Sequence, residues 1–74
     1  MRKIETWPPP NWHSVKILWD DILGGPKYPI REILDWIDDA PGRDYHLSGL
    51  DQTKGFDFRF KDAKDATYFV MMWL

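Results

Sequence analysis

The stretch Lys54–Leu74, KGFDFRFKDAKDATYFVMMWL, reads as one strand running directly into one helix. Phe56, Phe58 and Phe60 alternate with Asp57, Arg59 and Lys61, the period-two pattern of a strand with one apolar and one wet face. Asp62 ends the alternation. Its short acceptor side chain suits an N-cap, and Asp65 puts a second carboxylate near the positive end of the helix dipole. Beyond it, Ala66, Phe69, Val70 and Trp73 fall at i, i+3, i+4 and i+7, a stripe able to pack on the phenylalanine face. The rest of the chain reads as cover for this unit.

Working outward, the size of the chain limits what that cover can be. Its 74 residues make one small domain, 1–74, and a domain of this size has a net stability of roughly 3 to 5 kcal/mol. Large side chains must therefore build the core. Five Trp, four Phe and three Tyr are available, each burying on the order of 150 to 250 Å². No Cys is present, so disulfide and thiolate chemistry are excluded, which suits a reducing cytoplasm. The longest apolar run is too short to span a bilayer, and no signal-peptide pattern is read at the start, so the expected compartment is the cytoplasm. The formal net charge of −2 hides a gradient: residues 1–19 are net basic, 20–42 strongly acidic, and 43–74 balanced. A nucleic-acid binder would carry a basic patch, and none is evident, so direct nucleic-acid binding is not expected.

Upstream, residues 1–10 read as an edge strand or an extended Pro-rich arm. Pro8, Pro9 and Pro10 lock successive φ angles and offer no N–H donors, which makes a stiff spacer. From Asn11 as N-cap, Val15, Leu18, Trp19, Ile22 and Leu23 gather on one side at helical spacing, and a helix over 12–23 is predicted. A strand with Val15, Ile17 and Trp19 on one side is the alternative. Gly24, Gly25 and Pro26 end the segment. Pro29 opens a second helix, predicted over 29–40, with Ile30, Ile33, Leu34 and Ile37 as its buried stripe and Trp36 beside it. Pro41 and Gly42 stop it. Tyr45 and Leu47 then alternate with Asp44, His46 and Ser48, and a hairpin of 44–50 with 55–61 is predicted.

Chemistry-bearing constellations are weak. Asp44, His46 and Ser48 have the residue types of a triad, but residues two apart on a strand are about 6.6 to 6.8 Å apart, whereas nucleophile and base need roughly 2.6 to 3.2 Å. They read as a solvated face. His13 and His46 lack the short spacing of metal ligands, and the adjacent pairs Asp20–Asp21 and Asp38–Asp39 point in different directions from their helices. No catalytic, cofactor or metal residue is assigned.

Two resemblances can be drawn from the same end of the chain. Lys54-Gly55-Phe56-Asp57-Phe58 resembles the start of the RNP1 motif of RNA-recognition modules, K-G-F-G-F-V-x-F, but Asp57 and Arg59 stand where that family buries small or aliphatic residues. The phenylalanines therefore read as core. The ending, with Phe56, Phe58 and Phe60, then Asp65-Ala66, Phe69 and Trp73, is similar to the tail of small uncharacterised bacteriophage proteins that close with F-x-F, a short turn and D-A-x-x-F-x-x-x-W. It covers about the last quarter of the chain, and Met71 and Met72 stand where those proteins often carry basic residues. The resemblance implies a phage accessory protein that binds and redirects a host protein.

Together these readings predict an α+β domain: a small antiparallel hairpin, with a third edge strand if residues 1–10 supply one, packed against two or three helices, the last over 63–73. The expected core is Trp19, Ile22, Ile33, Leu34, Ile37, Phe56, Phe58, Phe60, Phe69 and Trp73. The expected function is non-enzymatic: binding and modulating a host protein, for example inhibiting a defence or nucleic-acid-processing enzyme. The alternatives are a homo-oligomeric assembly protein and a small enzyme with its site at a dimer cleft. Two contact surfaces are expected. Tyr68, Met71, Met72 and Leu74 turn away from the strand on the last helix and would meet a partner or a second copy of the chain. Glu32, Asp35, Asp38 and Asp39 form the acidic side of the second helix, which would mimic nucleic-acid phosphates. No cofactor and no membrane contact are expected.

Overall fold

A computed structural model describes residues 1–7, 9–19, 28–49 and 55–74. In chain order these form β1 (Arg2–Lys3), β2 (His13–Leu18), α1 (Ile30–Asp39), β3 (Asp44–Gly49), β4 (Gly55–Phe60) and α2 (Ala63–Trp73). The class is α+β, with one mixed four-stranded sheet in the order β1-β3-β4-β2 and two helices among the described residues. β1 runs parallel to β3, while β4 runs antiparallel to both β3 and β2. The N-terminal segment thus supplies an edge strand, though only two residues of it.

The segment expected to be a helix over 12–23 is a strand where it is described. β2 pairs with β4 from His13 opposite Phe60 to Leu18 opposite Gly55. β-Branched Val15 and Ile17 fit a pleated surface beside the phenylalanines, and this long-range pairing outweighs the helical spacing that Leu18 and Trp19 helped to create. Residues 20–23, including Ile22 and Leu23, lie outside the described residues, as do 50–54 between β3 and β4 and the Gly24-Gly25-Pro26 stop.

Strand alternation puts Val15 and Ile17, Tyr45 and Leu47, and Phe56, Phe58 and Phe60 on one face of the sheet. They join Ile33 and Ile37 of α1 and Phe69 of α2 in one core cluster. Phe69 sits between Phe58 and Phe60, with ring centroids 4.8 and 5.2 Å away. Trp19, Leu34, Phe56 and Trp73, expected in the core, are half-buried at its rim, and Tyr45 and Ile17 take fully buried places that the sequence reading left out. Trp19 meets Phe56 edge-on at 6.0 Å.

Local chemistry sets the element ends. The Asp62 carboxylate accepts the Lys64 N–H at 2.9 Å and caps α2. Asp65 accepts the Arg43 N–H at 2.8 Å, tying the α1–β3 turn to the first turn of α2. α1 starts at Ile30 with Pro29 in the cap position, its carbonyl accepting the Ile33 N–H at 3.0 Å. At the other end α1 has no basic side chain in its last turn. The Met1 ammonium group takes that place, donating to the carbonyls of Ile37, at 2.9 Å, and Ala40. Gly55 begins β4 with φ +150°, and a Cβ there would lie 2.1 Å from the Ile17 carbonyl oxygen, so close strand approach requires glycine.

Candidate functional site

The face of the sheet away from the helices carries Ser14 and Lys16, Asp57 and Arg59, and Asp44, His46 and Ser48. Alternation alone made this the wet face. In the structure Asp57 is 4% and His46 5% exposed, and the backbone carbonyls of Thr6 and Pro9 lie against this face. The Asp57 carboxylate accepts from the Ser14 hydroxyl and, at 3.0 Å, from Arg59 Nε. Arg59 Nη1 donates to the Pro9 carbonyl at 3.0 Å, and that carbonyl also accepts the Trp12 N–H at 3.3 Å. His46 Nε2 lies 2.8 Å from the Thr6 carbonyl, which fixes the proton on Nε2. Its Nδ1 is buried with no hydrogen-bond partner among the described residues. The solvated-face reading of His46 is therefore corrected.

This network ties the arm to the sheet. His46 and Ser14 stand on strands flanking Arg59, each registered opposite it, so two strand spacings of about 4.8 Å separate them. Ser14 is bonded to Asp57 and His46 to the arm, and no nucleophile–base contact exists between them. Trp7 projects from the arm at 90% exposure. Sequence reasoning missed this clamp; the only local signal was a donor-free proline run upstream of a strand carrying both an acid and a base.

On α1, Glu32, Asp35, Asp38 and Asp39 are all exposed. Helical spacing sets Glu32, Asp35 and Asp39 on one stripe, but Asp38 is engaged within the chain, accepting the Tyr45 hydroxyl at 3.0 Å. Burial, together with that hydrogen bond and the Asp38 charge, pushes the Tyr45 phenol above its ordinary range. The carbonyls at this end of α1 already face the Met1 ammonium.

α2 differs. Phe69 is fully buried, but Met71 is 79% exposed and Tyr68, Val70, Met72 and Leu74 are exposed too. These side chains surround the last turns of the helix on every side not taken by Phe69 and Trp73. Trp36 of α1 packs against Tyr68 and Trp73, at centroid distances of 5.5 and 5.9 Å, and braces this end. No basic residue occupies the last turn. Among the described residues, no group of three His, Asp or Glu side chains is placed to hold a metal, and no helix is long and apolar enough to cross a membrane. No protein-family model, curated protein or solved structure matches the chain.

Proposed function

We propose that the chain acts by association rather than catalysis, and that the C-terminal end of α2 is its protein-contact surface. The observation that carries this is the exposure of Met71, Met72, Tyr68 and Leu74 on a helix end that is apolar nearly all round. Such a helix is ordinarily covered. Methionines adapt to irregular partner surfaces, and Tyr68, braced by Trp36, supplies a rigid aromatic anchor. In the setting implied by the resemblance to the C-terminal ends of small bacteriophage proteins, this is an accessory protein in the host cytoplasm. The surface takes either a host protein, such as a defence or nucleic-acid-processing enzyme, or a second copy of the chain. The acidic stripe Glu32, Asp35 and Asp39 is the lesser candidate surface, since Asp38 is occupied by Tyr45 and the helix end carries a compensating ammonium group.

The test is the pair Met71→Glu with Met72→Lys. Both side chains are largely exposed, so melting should change by about 0.5 kcal/mol or less. Light scattering and capture from bacterial lysate should show that association is lost. Asp35→Lys with Asp39→Lys should leave it in place. A Met71/Met72 variant that melts and associates like the parent would end the proposal.

A further inference from the structure

Resting on the reading of α2 as a contact surface, we infer that its occupant is a second copy of this chain. The two copies join edge to edge through β2, so that two four-stranded sheets become one continuous sheet with both α2 helices side by side on it.

Three observations converge on this partner. β2 is the terminal strand on its side of the sheet, six residues long, and its outer edge is unpaired among the described residues; the opposite edge, β1, is only two residues long. A free edge of that length presents a row of unsatisfied N–H and C=O groups. Second, α2 packs on β2 and β4, which places the helix next to the free strand edge. Third, the spacing fits. A helix lying over the two outermost strands has its axis about one strand spacing, ~4.8 Å, from a two-fold axis at the sheet edge. Its mate then lies about 10 Å away, the distance at which helices pack. A foreign partner would have to supply both a free strand edge and an apolar helix at that height. This chain supplies both to itself through one two-fold axis.

The register follows from the side-chain faces. An antiparallel self-pair keeps core-facing residues on the helix side only when it is centred on a residue. Centring on Lys16 would oppose two like charges, which is destabilising. Centring on Val15 sets Lys16 opposite Ser14 of the second copy and His13 opposite Ile17 of the second copy. Val15 then faces Val15 of the second copy across about 4.5 to 5.5 Å of Cα separation, within disulfide range.

Because the chain has no cysteine, single-cysteine variants report this geometry directly. Sedimentation of the purified chain should show a concentration-dependent dimer, and Met71→Glu should raise its dissociation constant about tenfold or more while circular dichroism stays unchanged. Under mild oxidation Val15→Cys should cross-link into a dimer, whereas Leu18→Cys and Lys64→Cys should not. Cross-linking at Leu18 or Lys64 as fast as at Val15 would overturn the edge pairing. A chain that sediments as a monomer at every concentration would overturn the second copy as occupant. In that case the α2 surface still stands or falls on whether Met71→Glu with Met72→Lys abolishes lysate capture, so the two failures are distinguishable.

Discussion

The two faces of the sheet are sealed by opposite means. Under the helices, Phe58, Phe60, Phe69, Ile33 and Ile37 are fully buried and interact through area and shape alone. Under the arm, the seal consists of Asp57, Arg59, Ser14 and His46, each holding a specific partner. The apolar face tolerates approximate fit and draws its stability from water exclusion. The polar face is expected to add little net stability, because desolvation offsets its attractions, while its directional bonds favour one placement of the arm. Large side chains therefore stabilise this small domain, and the polar clamp selects which way its N-terminal segment lies.

The largest expected effect breaks the first face. Phe58→Ala removes a fully buried ring against Phe69 and should cost about 3 to 5 kcal/mol, most of the stability of a domain this size, as read by urea denaturation. Parent-like melting would show that the phenylalanine face is not the core. On the second face, Asp57→Ala strands the Arg59 guanidinium and should cost about 2 kcal/mol. The double variant Asp57→Ala with Arg59→Met should be more stable than Asp57→Ala alone, because no charge is left unpaired. A double variant that loses the full sum of both single losses would mean that the network contributes stability rather than selection.

The smallest effect sharpens the boundary between the faces. Tyr45 belongs to the apolar side but hands its hydroxyl to Asp38, and its phenol titrates higher in the folded chain than in the unfolded one. Its contribution is therefore fully present below the unfolded value of about 10 and is lost as pH rises above it. Stability should fall between neutral pH and strong alkali, and Tyr45→Phe should flatten that fall while costing about 1 kcal/mol at pH 7. An alkaline limb of equal slope in both proteins would assign the effect elsewhere.

How far this was legible in the sequence varies with the range of the interaction. β4, α1 and α2 carry local signals: strict alternation at Phe56–Phe60, a clean apolar stripe at Ile33 and Ile37, and a cap at Asp62. Each lies within a residue or so of its expected place. β2 is ambiguous in the sequence because Val15, Leu18 and Trp19 fit a helical stripe while Val15, Ile17 and Trp19 fit a strand, and the deciding partner, β4, begins some forty positions later. The buried polar face was hidden for a related reason. Asp57 and Arg59 look solvated until a backbone carbonyl fifty positions away is brought to them, and carbonyls carry no sequence signature. The proposed contact residues Tyr68, Met71, Met72 and Leu74 were legible as a helix end with nothing to complement its dipole, and their side chains are exposed.

The strand order has a consequence for how such a chain is born. β4 is the last made of the described strands, yet it sits between β3 and β2. Until it emerges, β2 has no neighbour among the described strands, although it has been outside the ribosome's active site for about forty residues of synthesis. At roughly 5 to 20 residues per second that is some 2 to 8 s during which Val15 and Ile17 have no sheet to enter. The sheet cannot grow outward strand by strand behind the ribosome. Pairing β2 with β4 is a long-range step of about forty residues' separation, the kind of contact that slows small-domain folding.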